Sequence, residues 1–314
     1  MRSPSIGLVA LVGCALPLCP AKALMTFGGS NSTNITDPGN GLPWKNVVEI
    51  ESGSGTPDGS GVYLGNQFVL TANHVGPVSQ INIGGTLFFV DTSFNASYAG
   101  GSFSGGFSQI GSTDLKVVRL TQNPVTSGVT GLQTINLNTS SVRDVNPLTT
   151  NYIVGYGEGK GTAVVGTGTG GWNWDAGSVG VERWGTNNVS GVLNGAVNGA
   201  MTTNTLYTTF DSTSGADEAA VELDDSGGTL FVQSGGTWYL TGITLYVSTN
   251  GTSYYNGDPN NAGGPSVNFF GRISDYETTI NAAIAVPEPD GLWLLLGGLG
   301  ALLVFRRYRM ARAR

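Results

Sequence analysis

The sole histidine of the chain, His74, ends the run Leu70-Thr71-Ala72-Asn73-His74. Further on, Asp114 opens the aliphatic stretch Leu115-Lys116-Val117-Val118, and Ser226 stands between Asp225 and the pair Gly227-Gly228. An imidazole, a carboxylate and a hydroxyl in this order are the parts of acyl transfer by an activated serine. The hydroxyl is a poor nucleophile at its free pKa and needs a base within hydrogen-bond reach. Imidazole titrates near neutrality without special tuning. A carboxylate on its other ring nitrogen holds the tautomer and stabilises the imidazolium. Asp91 is an alternative carboxylate, but no aliphatic strand follows it.

Such residues need a scaffold that brings distant segments together. Between residues 24 and 270, Gly, Ser, Thr and Asn dominate. Short β-branched or aromatic runs recur between turn signals, at 47–50, 61–72, 81–90, 115–120, 152–154, 229–232 and 238–247. Runs of this kind between Gly-rich turns predict an all-β barrel or sandwich. A helix is signalled only late, where Ser274 and Glu277 form a capping box ahead of Tyr276, Ile280 and Ile284 at helical spacing. Gly166-x-Gly168-x-x-Gly171 is followed by Trp172-Asn173-Trp174 and not by a helix, so it reads as a loop and not as a dinucleotide site. Trp172, Trp174 and Trp184 read as packing residues. Asp258, Asn260 and Asn261 lack a calcium-loop spacing and read as a solvated turn. No metal or cofactor is called for.

The ends have their own patterns. Residues 1–23 combine Arg2, an apolar core at 6–18 and Ala21-Lys22-Ala23, which predicts a signal peptide cleaved by signal peptidase. Both cysteines, Cys14 and Cys19, fall inside it, so cleavage leaves no disulfide. A lipoprotein signal ending at Cys14 is disfavoured because the apolar run continues past it. At the other end, Val286-Pro287-Glu288-Pro289 precedes the apolar run 291–305 and five arginines in the last nine residues. That pattern is a hydrophobic anchor helix with a cytoplasmic end, or a sorting signal of which the anchor is the removable part. Residues 24–289 carry seven basic and twenty acidic residues, a formal charge near −13, which argues against nucleic-acid partners.

Several segments in series resemble the chymotrypsin/trypsin-like serine proteases. Residues 61–74 are similar to the family's paired strands leading into the catalytic histidine. Residues 114–120 are similar to its Asp-bearing strand, and Val154-Gly155-Tyr156-Gly157 to the segment that opens its second barrel. Asp225-Ser226-Gly227-Gly228, followed by residues 238–243, is similar to the nucleophile loop and next hairpin, and residues 265–276 to the last strand and terminal helix. The order His, Asp, Ser is the one this architecture uses. Residues 183–187 and 235–238 also resemble those of bacterial members sorted by exosortases. The tail 286–314 resembles the PEP-CTERM signal that exosortases recognise in Gram-negative bacteria.

The resemblance implies two six-stranded antiparallel β-barrels, about 40–135 and 136–285, within a protease domain 24–285 that ends in a short helix. It implies an exported endopeptidase, membrane-anchored by its tail and then placed at the cell surface or extracellular matrix, with protein or peptide substrates. His74 would be the base, Asp114 its orienter and Ser226 the nucleophile. The backbone N–H groups of Asp224 and Ser226 would form the oxyanion hole. The family's Gly-Asp-Ser-Gly-Gly reads Asp224-Asp225-Ser226-Gly227-Gly228 here, so an aspartate stands where glycine is usual. Ala220 matches the base of the specificity pocket, which implies a small or apolar primary side chain and not Arg or Lys. Asp225 matches the carboxylate that pairs with a free N-terminus. Thr26-Phe27-Gly28-Gly29 lies at a suitable distance for signal cleavage to supply that amine. The alternative, motivated by Asp224 and the Gly/Asn-rich loops, is an inactive double barrel acting as a surface adhesion or matrix-binding module.

Overall fold

A computed structural model describes residues 24–285 except 54, 56, 145–148, 167–168, 249–250 and 256–263. The expected signal peptide, the tail with Val286, Pro287, Glu288 and Pro289, and the Asp258–Asn261 turn lie outside the described residues.

The described chain is mostly β. The first sheet orders its strands as Thr86–Phe89, Gln80–Ile83, Val47–Glu51, Pro57–Gly65, Phe68–Ala72, Leu115–Arg119 and Phe107–Gln109, every pair antiparallel. An antiparallel bridge between Val90 and Leu120 ties the strand at one end of this path back to Leu115–Arg119. The second sheet runs Arg183–Asn187, Asn151–Gly155, Thr229–Ser234, Thr237–Val247, Val267–Arg272, Met201–Thr209 and Val189–Asn198. Asn136–Leu137 adds to Thr237–Val247 in parallel. Only Asn188 separates the strands at the two ends of this second path. By hydrogen bonding the sheets therefore hold seven and eight strands, more than the six apiece expected. The difference comes from Phe107–Gln109 and Asn136–Leu137 and from the break at Asn188.

Gln80–Ile83 buries every second residue, so Ile81 and Ile83 point inward as a half-covered strand demands. Val47–Glu51, Phe68–Ala72 and Leu115–Arg119 are buried throughout, covered on both faces. One apolar cluster joins Val62, Leu70 and Val117 of the first sheet to Phe231, Leu240 and Ile243 of the second. The terminal helix Ile273–Ile284 adds Ile273, Ile280 and Ala283 to it.

Two local expectations change in the fold. The capping box does not form, because Ser274 Oγ donates to Asp144 Oδ2 at 2.6 Å, beside Arg272 Nε on the same oxygen at 2.8 Å. Of the segment expected as a loop, Gly166, Thr169, Gly170 and Gly171 lie in the paired antiparallel strands Gly159–Gly166 and Thr169–Asp175. Trp172 of that pair packs with Phe27, Phe210 and Tyr255. The N-terminal segment docks against this cluster, with Met25–Thr26 pairing Ala219–Ala220. Among the described residues, no helix is long and apolar enough to cross a membrane.

Candidate active site

Register brings the histidine and the first carboxylate together. Leu115 pairs with Ala72 across antiparallel strands, so Asp114 and Asn73 continue opposite one another. The backbone N–H of Asn73 donates to Asp114 O at 3.1 Å, and that of His74 to Asp114 Oδ1 at 3.0 Å. His74 Nδ1 lies 2.8 Å from Asp114 Oδ2, and Nε2 lies 2.8 Å from Ser226 Oγ. A carboxylate can only accept, so it holds the proton on Nδ1 and leaves Nε2 as the acceptor facing the hydroxyl. Asp114 is 1% exposed and the imidazole 31%, so the ring carries a buried charge to an open cavity.

The loop behind the histidine is tied down by Lys116. Its ammonium donates to the carbonyls of Asn73 and Val75 and is almost fully buried. Burial pulls its pKa down to about 8, against the opposing pull of Asp114. Asp91 is engaged elsewhere, in an ion pair with Arg119 at 2.5 Å.

The serine is positioned by backbone contact. Ser60 N–H donates to Ser226 O at 2.7 Å, and Gly227 N–H to Thr244 O at 2.8 Å. Gly227 has φ +86°, and a Cβ there would lie 1.9 Å from Ser60 O, so only glycine permits this approach. Donors alternate along the loop. Asp225 N–H bonds Glu222 O and Gly227 N–H bonds Thr244 O, whereas the N–H groups of Asp224 and Ser226 meet no acceptor among the described residues. Asp224 takes φ +64°, a left-handed angle that Asp tolerates better than most residues. It is half-buried, and burial raises its carboxyl pKa, helped by the charge of Asp58.

Asp225 is wholly buried. Its oxygens accept from Gly157 N–H at 2.9 Å and Glu222 N–H at 2.8 Å. A Cβ at Gly155 would lie 2.3 Å from Asp225 Oδ1, which explains a glycine there. Burial pushes Asp225 up to about 7, although both backbone donors and the charge of Arg183 pull it down. Leu24, 2% exposed, bridges Gly159, two residues beyond the Gly157 that donates to Asp225.

A cavity of about 250 Å³ opens beside His74 and Ser226, walled by Trp174, Val221, Glu222, Leu223 and the segment 244–247. Ala220 does not line it. Pairing with Met25 buries Ala220 in a cluster with Phe210. Glu222 takes the wall instead, buried, hydrogen-bonded to Ser253 Oγ, with burial raising its pKa well above the carboxylate range. Sequence reasoning also missed Asn198, whose side-chain N–H₂ donates to Asp114 Oδ2 at 2.9 Å. Its one sequence signal, Asn198-Gly199, marks a turn and says nothing of what the turn reaches. Among the described residues, no group of three or more His, Cys, Asp or Glu could hold a metal ion.

The sequence model of the family described as Trypsin matches residues 31–260. Among solved structures, neuropsin, a serine protease expressed in the limbic system of mouse brain, is similar at 16% identity and a TM-score of 0.49. The alignment covers 80% of this chain and 98% of that one. No curated protein matches the sequence.

Proposed function

This chain belongs to the trypsin family, and from that premise we propose that it is a serine endopeptidase working through His74, Asp114 and Ser226. The observation that carries the reading is the unbroken chain of contacts, 2.8 Å from Ser226 Oγ to His74 Nε2 and 2.8 Å from His74 Nδ1 to Asp114 Oδ2. Ser226 Oγ attacks the scissile carbonyl carbon while its proton passes to Nε2. The imidazolium is stabilised by Asp114 and returns the proton to the leaving amine. Water then repeats the sequence on the acyl-enzyme and releases the acid. The unpartnered N–H groups of Asp224 and Ser226 are the donors for the oxyanion, where loss of one donor costs about 100- to 1000-fold in rate.

The same reading takes each half as a closed six-stranded barrel. The Val90–Leu120 bridge supports this for the first sheet, and the near-continuous strand through Asn188 supports it for the second. Asp225 would receive the amine of a chain cut after Ala23, a role supported by the burial of Leu24 beside Gly159. Export by residues 1–23, anchoring by 291–305 and surface sorting through Val286-Pro287-Glu288-Pro289 complete the proposal. Intact-mass measurement of the mature protein tests both ends.

The second reading, an inactive surface-binding barrel, is favoured by one feature, the half-buried Asp224 carboxyl beside the proposed oxyanion donors. A fluorophosphonate probe separates the two. Labelling of the intact protein that disappears in Ser226→Ala supports the enzyme. Absence of labelling in the intact protein supports the binding module.

A further inference from the structure

The strands Val189–Asn198 and Met201–Thr209 form a hairpin of the second sheet, with Asn198 paired to Met201 across its tip. The tip runs past Thr205, where pairing with Val267–Arg272 ends, and docks on the loops that carry His74 and Asp114. Asn73 Nδ2 contacts Met201 Sδ at 3.1 Å, and Thr202 N–H donates to Ser112 O at 3.0 Å. The backbone N–H of Asp114 donates to Thr203 Oγ1 at 2.8 Å. Asn198 Nδ2 donates to Asp114 Oδ2, the oxygen that also faces His74 Nδ1. At the base of the hairpin side, Asn204 N–H donates to Tyr276 Oη of the terminal helix at 2.7 Å, which braces the strand behind the tip.

We propose that Asn198 is a positioning residue for the reaction, and that the hairpin tip is a clamp that sets the Asp114 carboxylate against His74. The inference rests on the triad reading above. Asp114 is buried, so each donor to its charged oxygens is a charge-assisted bond with little competing water. Its plane is fixed only if both oxygens are held. The backbone N–H of His74 holds Oδ1, and Asn198 supplies a second donor on Oδ2 that does not move with the imidazole ring. Finally, the contacts cross from one sheet to the other, so the clamp also registers the carboxylate, on the first sheet, against Ser226, on the second. Asn198 lines the cavity beside Ser226 and His74 but touches no reacting atom, which makes it a positioning residue.

The single histidine makes the test unambiguous. The full chain, labelled with ¹⁵N-histidine, is compared with Asn198→Ala, Asn198→Asp and Asn198→Gln. The signal followed is the low-field proton on His74 Nδ1 and its exchange with water. A well-held carboxylate protects this proton. Asn198→Ala should speed its exchange, and Asn198→Asp, similar in size but placing a second charge on Asp114, should move it further. Asn198→Gln, which keeps the donor, should recover part of the protection. Fluorophosphonate labelling should slow about 10- to 100-fold in Asn198→Ala, the range expected for a lost hydrogen bond to a charged group. Asn198 is half-exposed at a hairpin tip, so the variants should fold, which a thermal melt checks. Should Asn198→Asp fail to fold, the Ala and Gln pair decides. An unchanged proton shift and exchange rate in the folded variants overturns the proposal. A changed proton signal in a chain that no probe labels keeps the clamp and sinks the enzyme reading.

Discussion

Two buried aspartates, one in each half of the molecule, meet opposite fates. Asp114 and Asp225 are 1% and 0% exposed. Asp114 accepts from a backbone N–H, a side-chain amide and an imidazole that reaches a cavity. Asp225 accepts from two backbone N–H groups and is sealed among Gly155, Gly157 and Glu222. The first carboxylate has a titratable neighbour open to solvent, so its charge acts on chemistry outside the core. Before any cut after Ala23, the second faces fixed dipoles and the buried Arg183, so it acts on the shape of the loop before Ser226. Burial alone therefore does not mark a functional carboxylate. What the carboxylate touches, and whether that group can move a proton, separates the two.

The largest effect is expected at Asp114. Asp114→Asn should keep the fold but lower kcat roughly 10³- to 10⁴-fold, since an amide cannot hold the required imidazole tautomer. Peptide or ester hydrolysis measures it, and a loss under tenfold would remove Asp114 from the mechanism. A control in the same sheet is Asp91→Asn, which loosens the pair with Arg119. Stability should fall by about 2–3 kcal/mol, below the range for a fully buried pair because Asp91 is partly exposed and Gln67 and the Phe94 ring still hold the guanidinium. Turnover per folded molecule should stay unchanged, and denaturant melts alongside active-site titration report both.

The smallest effect sharpens the role of Asp225. Its folded pKa, about 7, and that of Glu49, also about 7, lie above their ordinary values of 3.8 and 4.5. In that window the folded state holds more protons than the unfolded one. Stability should therefore fall as pH rises from about 4 to about 7. Lys116 and Lys160, pulled down to about 8, act in the opposite sense. Above pH 8 they are neutral when folded and still charged when unfolded, so stability should recover toward pH 10. Urea melts across this range should trace a trough near neutrality. In the uncut chain, where no amine faces Asp225, Asp225→Asn should shallow the acid side by about 1–3 kcal/mol, and an unchanged trough would show that Asp225 titrates normally.

Much of the site was legible before folding because its residue types are rare or strongly patterned here. One histidine, one Ser between Asp and Gly-Gly, and an Asp heading an aliphatic strand narrow the choice sharply. Asp91 and Asp114 were separable only by the strand that follows. Asn198 was not legible, since an Asn-Gly turn has the same local sequence whether its tip meets water or a buried carboxylate. The capping box at Ser274 failed for the same reason, as a distant Asp144 offered the hydroxyl a charged acceptor. Ala220 was placed by spacing from Ser226, and its pairing with Met25 across the chain could not be counted from that spacing.

By itself the sequence determined the β character, the glycines that let the nucleophile loop lie against Ser60, and the kinds of group available for acyl transfer. These depend on β-branched and aromatic runs between Gly-rich turns and on backbone angles, which are local. Tertiary structure decided which of those groups touch. The pairing of Leu115 with Ala72 seats the carboxylate under the imidazole, and the docking of the hairpin tip adds Asn198. Such meetings are set by strand register and sheet packing, energies summed over many residues, and no short stretch of sequence contains them.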